Sequence, residues 1–330
     1  MTKTYQLVGI GNAVVDVISQ CDDSFLDMMG IEKGIMQLIE RERGEVLYAA
    51  MKERVQTPGG SVANTIAGAG ALGLDAAFIG RVHDDALGRF YAKAMQDDGV
   101  DFVNAPVAGG ELPTSRSMIF VSPDGERSMN TYLGISSELG SEDVPNETAS
   151  VAQIMFLEGY LFDKDKGKSA FMEAARDCKA GGGKPGIAIS DPFCVERHRA
   201  DFLSLIEKDL DFVIGNEAEI KSLFETDDLE EALAKTSAIC PLVVCTRSGD
   251  GVTVLSAEGR VDVPVTKVVP VDATGAGDQF AAGFLFGLAS GRDMETCAKI
   301  GNACAAEVIS HIGPRPKANM RALLKAQRLV

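Results

Sequence analysis

Short apolar runs alternate with helix-length segments along this chain. YQLVGIG (5–11), AAFIG (76–80), QIMFLEGY (153–160), GIAIS (186–190), DFVIG (211–215) and LVVCT (242–246) each have the length and near-continuous apolarity of a strand buried on both faces. Between several of them lie helix-length stretches such as 60–73, 166–180 and 217–225, and the C-terminal quarter adds long helical patterns over 278–290 and 295–310. Strand and helix in alternation predict an α/β fold, with a mainly parallel sheet and helices on both faces.

Two places break this rhythm. IEKGIMQLIE (31–40) and residues 114–134 read as antiparallel material, the second as a hairpin whose strands are joined by Ser122-Pro123-Asp124-Gly125-Glu126. Together they predict one small β-sheet lid over the edge of the large domain. The expected division is a large α/β domain over 1–15, 45–110 and 136–330, with the lid over 16–44 and 111–135.

Composition narrows the function classes. The 330 residues carry a net charge of −16, which repels a phosphate backbone and an anionic bilayer, so nucleic acid and membrane are not expected partners. An anionic small molecule must then be held by local positive potential. The seven cysteines show no metal-site spacing and no disulfide framework, and no apolar run approaches the roughly 20 residues that span a bilayer. The expectation is a cytoplasmic protein working on small molecules. The three histidines have no mutual spacing that suggests a site.

VDATGAGDQF (271–280) offers the local potential. Gly275 and Gly277 bare the backbone around Ala276, and the apolar run after Asp278 predicts a buried helix whose first N–H groups point outward. A glycine-rich turn at a helix start is an anion cradle. A carboxylate beside it, Asp278, is placed to take the proton of an attacking hydroxyl. A plainer reading is open too: Asp278 caps the helix and the glycines only make a tight turn. The stretch is neither a G-x-x-x-x-G-K loop nor a dinucleotide fingerprint. Gly68-Ala69-Gly70-Ala71-Leu72-Gly73 does match G-x-G-x-x-G, but it follows a helical pattern rather than a strand, which marks these glycines as close packing and a helix end.

PGGSVAN (58–64) and DATGAGD (272–278) resemble the two signatures of the ribokinase-like (pfkB) kinases, in the order that family has them. GNAVVD (11–16), RSMN (127–130), Gly159-Tyr160 and FVIGNEAE (212–219) are most similar to its adenosine kinase branch. Ala273 departs from the threonine usual there. The resemblance implies a ribokinase-like three-layer sandwich with a small β lid, ATP as phosphoryl donor, and Mg2+. It implies catalysis by Asp278 with Gly275, Ala276 and Gly277, and acceptor binding by Asn12, Asp16, Gly59, Gly60 and Asn64. Taken without it, Asp16 reads as an ordinary hairpin residue and Asn64 as a helix-surface amide.

The same resemblance places ATP against Asn216, Thr246, Ser248, Gly249, Gly251, Asn302 and Ala306, and organises Mg2+ through water at Glu219. Asn216 and Glu219 also have the spacing of a capping box, and 248–251 that of a β-turn. Asp272, with carbonyls near Ser310 and Gly313, would hold a monovalent cation such as K+, as in relatives.

For the acceptor, the D-x-N-x-R strand common in sugar kinases is replaced by Ile189-Ser190-Asp191-Pro192-Phe193. Tyr160 and Phe193, with Met36, Leu38 and Met129 from the lid, offer apolar faces to a flat base; as core packing they would offer none. The implied acceptor is adenosine at its 5′-hydroxyl. Guanosine or inosine and ribose- or fructose-type sugars come next, and a non-catalytic nucleoside-binding regulator is the alternative of another class. Monomer and homodimer are both open.

Overall fold

The computed structural model describes residues 4–330, so residues 1–3 of the N-terminal stretch lie outside the described part. Among the described residues, fourteen strands form two sheets. The larger has the order β14-β13-β12-β11-β10-β9-β1-β5-β6. Its strands are β1 (Tyr5–Ile10), β5 (Ala76–Ile79), β6 (Val100–Phe102), β9 (Ala152–Glu158), β10 (Lys184–Ala188), β11 (Phe212–Asn216), β12 (Leu242–Thr246), β13 (Val252–Ser256) and β14 (Gly259–Val263). Pairing is parallel from β6 through β12, and the last two strands add an antiparallel edge.

The apolar runs are continuous because both faces are covered. Leu7, Phe156 and Phe212 enter one core, while Val8, Leu157 and Val213, their chain neighbours, enter the other. All of these are 0–1% exposed. The first core lies under the helices Ser61–Ala71, Ala276–Ala289 and Met294–Val308, the second under Asp165–Ala180 and Pro192–Lys208. This is the three-layer α/β sandwich the alternation predicts.

The second sheet takes in more chain than the two segments read from the pattern. Its order is β3-β8-β7-β2-β4, built from β2 (Val14–Gln20), β3 (Met36–Leu38), β4 (Val55–Gly59), β7 (Ser115–Val121) and β8 (Arg127–Tyr132). The 115–132 hairpin is antiparallel as expected, but β3 joins β8 in parallel and β2 joins β7 in parallel. The correction has a simple cause. Only a tight turn forces antiparallel pairing, and β2 and β3 reach their partners through long connections that leave direction free.

Period-two alternation gives this sheet two unlike faces. Val15, Val17, Met118 and Phe120 point back into a core closed by Leu26 and Leu47 of the helices Asp23–Met29 and Arg41–Ala50. The register puts Asp16, Ile18, Val55, Arg127, Met129, Met36 and Leu38 together on the other face. Val55, Leu38 and Met36 there are 62%, 50% and 40% exposed, so a strip of apolar surface is left uncovered.

The Ser61–Ala71 and Ala276–Ala289 helices touch through glycine. A β-carbon on Gly68 would meet Gln279 Oε1 at 2.2 Å and Ala282 Cβ at 2.9 Å. The GAGALG glycines are therefore packing residues, as their helical context indicates. Gly68→Val should lower stability by about 1–3 kcal/mol through overpacking. The check is urea unfolding; an unchanged midpoint would show that the contact has slack.

Candidate active site

Two helices begin at the same place. Gly60, with φ 96°, follows β4 and leads into Ser61–Ala71; Gly275, with φ 78°, leads into Ala276–Ala289. Both glycines are in the left-handed region that only glycine enters freely. Each is also a point of close approach, since a β-carbon on Gly60 would lie 2.2 Å from Asn12 O and one on Gly275 would lie 2.6 Å from Pro314 O. Neither helix start carries a side-chain cap. Gly277, by contrast, faces open space.

Asp278 sits in the first turn of the second helix and does not cap it, which removes the plainer reading of that residue. Its carboxylate instead accepts from Ser61 Oγ at 2.8 Å and Asn64 Nδ2 at 3.1 Å, and its carbonyl accepts from Thr65 Oγ1 at 3.1 Å. Burial raises its pKa from 3.8 to about 6, against the lowering effect of Asn64, Ser61 and the charge of Arg315. Arg315 Nε donates to Asn64 Oδ1 at 3.4 Å, which leaves the amide nitrogen facing Asp278. Asn64 is thus committed to Asp278.

Glu158 closes the other side. It is 1% exposed and accepts from Asn12 Nδ2 at 2.8 Å, Asn12 N at 3.2 Å and Val62 N at 3.1 Å. Asn12 Oδ1 in turn accepts from Ser136 Oγ at 3.0 Å, so both ends of that amide are used. Burial raises Glu158 to about 7. Asp16, whose oxygens lie 2.5–2.6 Å from where a Gly59 β-carbon would stand, is raised to about 7, chiefly by burial and against the charges of Arg127 and Arg315.

Asn216 and Glu219 form a full capping box: Asn216 Oδ1 accepts from Glu219 N, and Glu219 Oε2 accepts from Asn216 N, each at 2.9 Å. Glu219 nevertheless lines a cavity of about 100 Å³ together with Ser61, Ser190 and Asp278. It is 7% exposed, and burial raises it to about 8.

That small cavity shares Asn216, Thr246 and Gly277 with a cleft of about 680 Å³. The cleft brings together Thr246, Ser248, Gly249, Gly251, Asn302, Ala306, Asn216, Ala273 and Ala276 from four parts of the chain. Its 248–250 floor is a single 3-10 turn between β12 and β13, with Gly251 at φ 96°.

Other expected residues stand apart. Tyr160 packs against the second core with its N–H on Ser190 Oγ at 3.2 Å, and Phe193 is 70% exposed near the start of its helix. Neither lines the cavity at Asp278. Met36, Leu38 and Met129 share the open face of the second sheet. Asp272 accepts from Gly313 N at 2.9 Å and Thr274 N at 3.0 Å, and pairs with Arg127. Among the described residues no group of three or more His, Cys, Asp and Glu could hold a metal ion, and no helix is long and apolar enough to cross a membrane.

Sequence reasoning missed Glu158, Arg127 and Arg315 as site residues. A signal existed for Glu158, a lone carboxylate inside an otherwise apolar strand. Arg315 follows the last long helix in an aperiodic stretch that offers none.

An α/β sheet with an anion cradle at a helix start, a carboxylate beside it and a cleft at the carboxyl ends of the strands is the layout of a phosphoryl-transfer enzyme. Residues 29–320 match the model of the pfkB family carbohydrate kinases, and the chain belongs to that family. It is a phosphotransferase with an alcohol group as acceptor. The adenosine kinase from Sinorhizobium meliloti is 44% identical, over 99% of this chain and 100% of its own, with a TM-score of 0.92. A "probable sugar kinase protein" from Rhizobium etli is 42% identical over all of both chains, with a TM-score of 0.93. The fructokinase of Klebsiella pneumoniae is 31% identical, over 72% of this chain and 78% of its own.

The raised carboxylates set a pH dependence. An acid whose pKa rises on folding binds more protons folded than unfolded, so its contribution is full below its unfolded value and is lost as pH climbs through the folded one. For Asp16, Asp278, Glu158 and Glu219 the window runs from about 4 to about 8. The ligand-free protein should melt at progressively lower temperature across that range, and Glu158→Gln should flatten the slope. Calorimetry at fixed ionic strength checks this; a melting temperature that rises from pH 5 to 8 would contradict it.

Proposed function

We propose that this kinase transfers the γ-phosphoryl of ATP to the 5′-hydroxyl of a nucleoside, adenosine first among them. One observation carries the reading. Asp278, pinned by Ser61 and Asn64, stands where the small cavity meets the large cleft at Gly277.

ATP would lie in the cleft, its adenine against Asn302 and Ala306 and its phosphates crossing Ser248, Gly249 and Gly251 toward Gly277. The N–H groups of 276–278 and the dipole behind them hold the charge of the transferring group. The acceptor hydroxyl gives its proton to Asp278 as its oxygen bonds to phosphorus, and the bond to the β,γ-bridging oxygen breaks to release ADP. Asp16, Asn12 and Asn64 at the paired glycines Gly59-Gly60 would hold the sugar. Magnesium, when bound with the nucleotide, supplies charge neutralisation at the phosphates. Glu219, a single buried carboxylate already held by Asn216, fits a water-bridged contact to it.

Adenosine is favoured by the adenosine kinase of S. meliloti at 44% identity, and by the uncovered apolar strip of Met36, Leu38, Val55 and Met129 facing the acceptor side, a surface suited to a flat base. Tyr160 and Phe193 would extend that surface on the opposite side. The second reading is a sugar acceptor, favoured by fructokinase and 5-dehydro-2-deoxygluconokinase relatives at about 30% identity.

ADP release measured across nucleosides and sugars tests the choice. Adenosine should be preferred over ribose and fructose; equal or better turnover of a sugar would overturn the nucleoside assignment and leave the kinase intact. Asp278→Asn should fold and bind acceptor but lose at least about 10²-fold in kcat, the lower range for removing a general base. In the wild type, kcat/KM should rise with pH through about 6, where Asp278 becomes the free carboxylate. Near-normal turnover of the variant would remove Asp278 from catalysis.

A further inference from the structure

We propose that Arg127 is the built-in cation of the Asp272 site, so that this kinase holds its catalytic loop without a monovalent metal ion. The place of the cation expected at Asp272 is taken by an arginine. Oδ2 of Asp272 accepts from the Arg127 guanidinium and from Gly313 N at 2.9 Å, and Oδ1 accepts from Thr274 N at 3.0 Å. The guanidinium thus stands, as a full positive charge, on the carboxylate oxygen that a metal cation would need.

The charge is settled as well. The Asp272 and Arg127 side chains are 8% and 12% exposed. A second cation beside Asp272 would meet the guanidinium at close range, with little water to screen the repulsion.

The position gives the pair its consequence. Asp272 opens the 272–278 loop, and its bonds to Thr274 and Gly313 fix that loop against the 313–314 segment on which Gly275 also rests. Arg127 comes from β8 of the second sheet, so one guanidinium ties that sheet to the helix start that cradles phosphate. Its other terminal nitrogen, Nη1, is buried with no hydrogen-bond partner, and its charge is felt at Asp16. Arg127 acts here as a positioning residue. The inference rests on the kinase class for its activity arm only.

The test compares KCl with tetramethylammonium chloride at equal ionic strength, using the full-length protein. Two readouts are taken: melting temperature without substrates, and ADP release with ATP, magnesium and adenosine. Wild type should show no K+-specific change in either. Arg127→Met should lose activity in tetramethylammonium by about tenfold or more, within the scale by which a misplaced catalytic group slows a reaction. KCl should restore part of it and raise the melting temperature of that variant alone, by binding the vacated site. Arg127→Lys, which keeps a charge, should stay indifferent to K+. Specific activation of wild type by K+ would overturn the proposal. So would an Arg127→Met protein impaired equally in both salts, which would make the arginine a structural anchor only. The melting arm needs no acceptor, so a wrong acceptor assignment leaves it readable.

Discussion

The carboxylate of Asp278, shared between two helix starts, is the contact on which this site depends. Ser61 and Asn64 belong to the first helix and Asp278 to the second, more than 200 residues later. Both helices aim their positive ends at the same point because glycines 60 and 275 turn the chain sharply into them. Two hydrogen bonds, from Asn64 and Ser61, and the charge of Arg315 oppose the burial that would otherwise raise this acid further. A pKa near 6 is the balance between them. It leaves a carboxylate that is ionised under ordinary conditions yet basic enough to accept a proton from an alcohol during attack.

Around it lie three more acids that folding makes less acidic: Asp16, Glu158 and Glu219. Stability alone would not gather them. Glu158 would be cheaper as an apolar residue in β9, where its neighbours Phe156 and Leu157 are fully buried. It is kept because the joint between the sheets needs it, since Asn12 and Val62 both bond to it. The cost is tolerated where the site requires polar groups in fixed places, and the two large apolar cores supply the surplus.

Most of the large sheet was legible in the sequence because its strands are buried on both faces, which writes a run of apolar residues such as LVVCT. The anion cradle was legible because paired glycines just ahead of an apolar helix bare the backbone N–H groups, and little but an anion needs them bared. The second sheet was read only in part. Its strands alternate, with Val15 and Val17 inward and Asp16 outward, and β4 (VQTPG) is short, half polar and ends in Pro-Gly, so neither stands out from loop. Parallel pairing of β2 with β7 is a property of long connections and leaves no local mark. The cation expected at Asp272 came from likeness to relatives; Arg127 reaches that carboxylate from 145 residues away, a distance no motif spans.

How the sheets are joined decides where selectivity can reside. β1 ends at Ile10 and β2 begins at Val14; β4 ends at Gly59 and its helix begins at Ser61. The second link leads directly into Ser61, which bonds Asp278, and the first carries Asn12, which bonds Glu158. Asp16 lies in β2, close to the first link. Met36 and Leu38 lie in β3, three strands from β2 in the order β3-β8-β7-β2-β4, about 14 Å away at ordinary strand spacing. On the proposed reading, the end of an acceptor that carries the reacting hydroxyl would be held near these links, by groups that any vicinal diol can use. Its far end would meet the β3 edge, where exposed methionine and leucine gain from covering an apolar ring and nothing from covering a hydrated hydroxyl. Changes in acceptor preference should then come from that edge, while changes at Asp16 should alter every acceptor alike.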